Sequence, residues 1–216
     1  MNTIDIYCER IGPGLLAEPV NALTNAAFFI AAWLLWRDAR RADLLSPALG
    51  ALLALVLAIG IGSSLFHTFA ATWARVLDEL PILLFQLLFV WLYARRIMGL
   101  RKASAGALLA VFLPAALYAR SFSHLLNGSL VYAPAVLLVC ALGVWHYASR
   151  QPARTHLAAA AVTLALAAAL RTLDAPICER FALGTHFLWH LLVAGVIYLC
   201  VGGLMAAQRE QALRDR

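Results

Sequence analysis

Thr185-His186-Phe187-Leu188-Trp189-His190 opens an almost wholly apolar run that continues to Ala207. Residues four apart share one helix face, so His186 and His190 present their imidazoles to the same point and can grip the same ion. A run of this length spans a bilayer, where polar rings are expensive and are retained for a function. A third histidine, His67, ends another apolar run in Gly60-Ile61-Gly62-Ser63-Ser64-Leu65-Phe66-His67, and Asp78-Glu79-Leu80-Pro81 opens the next. Together these stretches predict a bundle of membrane-spanning helices with a metal held between them.

Composition agrees with that reading. Of 216 residues, 63% are hydrophobic and 13% charged, against about 25% charged in soluble domains. The net charge of +6 comes from short basic clusters between apolar runs, which is how membrane topology is encoded, and nucleic-acid binding is excluded on that ground. Asp5 and Glu9 precede any apolar run and no basic leader is seen, so the first span is expected to serve as the insertion signal. Cys8 and Cys178 lie outside the apolar runs while Cys140 and Cys200 lie within them, which leaves the first pair as the credible disulfide.

By the criterion of roughly 20 apolar residues per crossing, seven spans are predicted, near 20–36, 46–66, 80–96, 104–121, 130–148, 156–171 and 184–206. They form an all-α, seven-transmembrane-helix bundle, a single domain over residues 1–216. The alanine-rich sixth span suits close helix contact. The loops after spans one, three and five and the tail hold Arg37, Arg40, Arg41, Arg95, Arg96, Arg101, Lys102, Arg150, Arg154, Arg209, Arg214 and Arg216, twelve of the 17 basic residues. The positive-inside rule then puts the C-terminus in the cytoplasm and the N-terminus outside. Asp5, Glu9, Glu18, Asp78, Glu79, Asp174 and Glu179 all fall on the outer side. Acidic residues contribute little to topology, so cation binding and a solvated acidic loop stand as equal explanations.

His67, His186 and His190 all reach that outer face. Three histidines with an open fourth position are a common catalytic zinc set, and zinc held so ionises a bound water near neutral pH to give a hydroxide able to attack an amide or ester carbonyl. Ser63, one turn before His67, could donate to a developing oxyanion, and Asp78 could shuttle the proton. Read singly, Ser63 is a packing residue of a small-residue stripe, Asp78 a helix N-cap with Pro81 in its first turn, and each histidine an interfacial hydrogen-bonder.

The Gly-Ile-Gly-Ser63-Ser-Leu-Phe-His67 stretch, Asp78 followed by Glu-Leu-Pro, and His186-Phe-Leu-Trp-His190 together resemble the alkaline ceramidases. These are seven-span membrane hydrolases of a superfamily that includes the adiponectin receptors. Asp5-Ile-Tyr-Cys8-Glu9-Arg and Ala17-Glu18-Pro-Val-Asn21-Ala-Leu-Thr-Asn25 resemble that family's opening. Spans four to six offer little to match. The resemblance implies zinc on His67, His186 and His190, with Ser63 and Asp78 catalytic. It implies hydrolysis of ceramide or a related N-acyl lipid to a sphingoid base, or amine, and a free fatty acid. It further implies calcium on Asp5, Glu9 and Glu18, and it lends support to the Cys8–Cys178 pairing. Two departures touch the calcium set: Asp5 stands three before Cys8 where the family has two, and Ile11 replaces a polar residue.

A bacterial member is expected, multi-pass in the inner membrane, with its site toward the periplasm, a membrane lipid as substrate, and no protein partner inferred. A second reading is a receptor or signalling protein of the adiponectin-receptor type with structural zinc. A haem electron carrier ranks last, because His186 and His190 on one face cannot sandwich an iron.

Overall fold

Backbone amides cannot go unpaired in hydrocarbon, which leaves the helix as the element open to apolar runs of this length. The computed structural model describes residues 4–214. Thr3, and the charged Asp215 and Arg216 of the tail, lie outside them. Among the described residues every regular element is helical. Seven helices are long and apolar enough to cross a membrane: α1 Pro19–Arg41, α2 Pro47–Phe69, α3 Thr72–Ile97, α4 Lys102–Phe122, α5 Leu126–Ala148, α6 His156–Ile177 and α7 His186–Arg214. The protein is a seven-helix membrane bundle. Its tightest pairs are α2 with α3 and α6 with α7, and these are the helices that bring the three histidines together.

Local chemistry sets these boundaries. Ser46 caps α2 by accepting from the Leu49 N–H at 3.3 Å, with Pro47 in the first turn where its missing N–H does no harm. The helix ends at Ala70, which takes the left-handed conformation with φ +45°. Only Ala70 and Ala71 separate α2 from α3, so the turn that was expected to run from His67 to Asp78 is almost wholly helical.

Asp78 is therefore a mid-helix residue of α3 and not its N-cap. The physical reason lies in Pro81. A proline inside a helix lacks its N–H and crowds the carbonyl four residues before, so the Leu77 carbonyl goes unserved while the helix continues around it. That carbonyl leans on Gly62 of α2, where a methyl group would overlap it. The glycine lets two backbones approach closely, and the proline frees the carbonyl that occupies the gap. Gly62→Ala is expected to push α2 and α3 apart and to destabilise the protein by about 1–3 kcal/mol, the usual scale of overpacking. An unchanged thermal midpoint in detergent would contradict the close contact.

The sixth helix also runs past its expected end at residue 171, to Ile177. Arg171 and Asp174 were natural stopping points in the sequence, yet both are buried in the bundle: Asp174 has both oxygens hydrogen-bonded, while Arg171 donates to the Asn127 carbonyl and leaves its Nε–H without a partner. The segment 4–18 lies across the end where α2 and α6 finish and α3 and α7 begin. Ile4 donates to the Ala70 carbonyl at 2.8 Å, Tyr7 packs against Phe66 and Ala74, and Cys8 is disulfide-bonded to Cys178 with Cα atoms 5.2 Å apart.

Candidate metal centre

His67 comes from the last turn of α2, His186 from the first residue of α7 and His190 from one turn further in. All three are at most 2% exposed. One ligand nitrogen from each lies within 4.8 Å of the others, and this is the only such group of histidine, cysteine or carboxylate side chains among the described residues.

The partners of the rings decide which nitrogens are free. Nδ1 of His67 donates to Glu18 Oε2 at 2.5 Å. Thr24 spends its single O–H on the Val20 and Asn21 carbonyls, at 2.9 and 3.1 Å. Its oxygen must therefore accept from His190 Nδ1–H, 2.9 Å away. Both rings are thus held in the tautomer that leaves Nε2 as a lone-pair donor, the usual arrangement of partnered ligand histidines. His186 differs: its ring stacks on Tyr7, centroids 3.6 Å apart and 14° from parallel, and its Nδ1 is buried with no hydrogen-bond partner. Three convergent imidazoles, two with Nδ1 engaged and one with an orphaned nitrogen, fit a borderline-soft divalent ion such as zinc.

Around the triad stands a shell that the sequence did not announce. Glu18 accepts from Arg10 Nε at 2.5 Å and Asn21 Nδ2 at 3.2 Å as well as from His67, and Arg10 reaches on to the His67 carbonyl at 3.1 Å. Burial works against ionising Glu18, but the His67 and Arg10 contacts outweigh it and hold the carboxyl below its ordinary range. Asp174 is fully buried. Its Oδ1 accepts from the Thr185 and His186 backbone N–H groups at 2.6 and 2.8 Å, and its Oδ2 from that of Cys8 at 3.1 Å. One carboxylate thereby serves the open N-terminus of α7 and the strap across it.

Ser63 and Asp78 line, with His186 and His190, a cavity of about 10 Å³ closed by Tyr7, Tyr132 and Trp189. That is room for about one water. The structure does not gather Asp5, Glu9 and Glu18 into one site. Asp5 is exposed. Glu9 accepts from the Val20 and Asn21 N–H groups at 2.6 and 2.7 Å, and so caps α1. Glu18 is committed to Arg10 and His67. Glu9 is thus engaged at the helix start and Glu18 at the triad, while Asp5 stands apart from both.

A seven-helix membrane bundle with a buried three-histidine group under a cross-linked strap defines a polytopic membrane protein with a metal-type site near one end. A family model described as Ceramidase matches residues 7–215, nearly the whole chain, and the protein belongs to that family. Membership implies a hydrolase acting on amide bonds, with ceramide as the lipid. No curated protein matches the chain.

Proposed function

We propose that the protein is a zinc-dependent amidase that works inside the membrane, cleaving ceramide or a related N-acyl lipid to a sphingoid base, or amine, and a free fatty acid. One observation carries this: Ser63 and Asp78 share a water-sized cavity with His186 and His190. His67, His186 and His190 would hold the ion, which when bound supplies a Lewis acid and a water that ionises near neutral pH.

The chain's own residues do the rest. Ser63 Oγ–H donates toward the amide oxygen as it gains negative charge. The Asp78 carboxylate takes a proton from the attacking water and passes it to the departing amine nitrogen, which leaves with its electron pair. Glu18 and Thr24 fix the His67 and His190 rings, and Tyr7, Tyr132 and Trp189 keep bulk water from the cavity. A receptor with structural metal has no use for a serine and a carboxylate at such a cavity, which favours the enzyme.

Fatty-acid release from a panel of N-acyl lipids tests the reading. Ser63→Ala and Asp78→Asn are each expected to keep their zinc and to lose about 10²-fold or more in activity. Wild-type rates in both would reduce these side chains to packing.

On this reading the site faces outward, to the periplasm of a bacterial inner membrane, and the excess of basic residues in the opposite loops supports it. Ile11 is 90% exposed on the strap, so Ile11→Cys is expected to react with an impermeant thiol reagent in intact cells. Labelling only after lysis reverses the orientation.

A further inference from the structure

Beside the small cavity lies a larger one of about 520 Å³ between α3, α4 and the start of α5, and the two share Ile82 and Tyr132 as a common wall. Its charges are lopsided. Arg75, Arg120 and Arg171 line it against one carboxylate, Glu79, with His124 beside them. Glu79 pairs with both Arg75, at 2.8 Å, and Arg120, so a single negative charge answers two guanidiniums. Each guanidinium has five N–H donors and spends one on Glu79, which leaves both held in place and open to a further acceptor.

Arg171 is the stronger anomaly. It is 7% exposed and makes no ion pair among the described residues. Its partners are the Asn127 carbonyl, the Ser129 and Tyr7 hydroxyls, and the rings of Tyr7, Tyr132 and Trp189 at 5.5–5.9 Å. Aromatic faces ease a buried cation but do not neutralise it. Asp174, the nearest acid along α6, has its oxygens taken by backbone N–H groups.

The polarity is also graded. Positions 75, 79, 120 and 124 gather at the triad end of the cavity, whereas Leu83 and Phe112 line it one to two turns further into the membrane. A cationic mouth over an interior in which Gln86 is the one polar side chain beside Leu83, Phe112 and Ala135 fits an amphiphile, not a free ion.

We infer that this cavity is a head-group subsite for an acidic lipid amide, with a phosphate-type oxyanion seated between Arg75 and Arg120 in the field of Arg171. The inference rests on the amidase reading and names its substrate class. Guanidinium forks match phosphate oxygens in pairs, and the shared Ile82–Tyr132 wall puts the head beside the triad.

Ceramide and ceramide 1-phosphate of equal chain lengths are the probes, tested on the full chain in detergent by equilibrium binding and by fatty-acid release. Wild type is expected to bind the phosphorylated lipid at least about ten-fold more tightly and to cleave it with at least that advantage in kcat/KM. Arg75→Gln and Arg120→Gln, whose side chains are 43% and 50% exposed and so should fold, bring both ratios toward one. Added salt does the same. Equal binding of the two lipids by wild type, or ratios unchanged in both variants, overturns the subsite. Displacement of the lipid by equimolar inorganic phosphate overturns it in favour of a free-anion site. A binding preference without release from either lipid keeps the subsite and defeats the amidase reading. Release with no preference does the reverse.

Discussion

His190→Ala is expected to leave the purified protein without zinc and to abolish fatty-acid release, and His67→Ala and His186→Ala are expected to do the same. On the proposed ligand set each variant takes one of three protein ligands, and an ion held by two imidazoles and water would be lost to dilution and chelators. The structure sharpens this. Glu18 and Thr24 hold the His67 and His190 rings, so each imidazole is delivered in one fixed orientation that an alanine variant loses. Metal analysis decides the question alongside a thermal unfolding scan. The variants should unfold near metal-stripped wild type, which separates ligand loss from general collapse. Full occupancy in any one of the three removes that histidine from the ligand set.

Asp174→Ala is expected to be nearly as damaging, although Asp174 touches no ligand nitrogen. Its two oxygens accept three backbone N–H groups, from Cys8, Thr185 and His186. Removing the carboxylate leaves all three donors buried at about 1–3 kcal/mol each, so a loss on the order of 3–5 kcal/mol is expected. In a domain of this size that lowers the thermal midpoint by roughly 10 °C, and zinc occupancy falls because His186 sits on the released helix end. Asn at this position should be intermediate. Its carbonyl can still serve Thr185 and His186, but its NH₂ then faces the Cys8 N–H. A midpoint within a degree or two of wild type for Asp174→Ala would show that water replaces the carboxylate.

The neighbouring Gly184 explains why the loop closes so tightly there. It has φ +66°, and a side chain at that position would overlap Asp174 Oδ1.

The legible parts of this chain were those written in local periodicity. Seven apolar runs announced seven helices, because hydrocarbon leaves the backbone little choice. The four-residue spacing of His186 and His190 announced a shared face. What sequence could not show was compensation at a distance. Pro81 and Asp78 read as a helix start because both are common there, and only the Gly62–Leu77 contact explains why α3 begins six residues earlier, at Thr72. Arg171 and Asp174 read as an exit from the membrane, because nothing nearby in sequence shows the Asn127 carbonyl that Arg171 donates to or the N–H groups that Asp174 accepts from. Glu18 read as part of an acidic opening. Its partner His67 is 49 residues away, and no periodicity reports such a pairing. The stacking of Tyr7 on His186 is equally invisible to periodicity, because the two lie near opposite ends of the chain.

The cross-link between the strap and the last loop also bears on how the protein is made. Cys8 leaves the ribosome 170 residues before Cys178, and His67 likewise precedes its two partner rings by more than half the chain. Through most of translation the early helices therefore carry half a site: Glu18, Arg10 and His67 in place, with no second imidazole and nothing to fasten the strap. The cross-link waits for Cys178, just past the sixth helix, and the histidine group is complete only with the first turns of the seventh. On the proposed mechanism, a chain stalled before the seventh helix is expected to release no fatty acid from the membrane it is being inserted into.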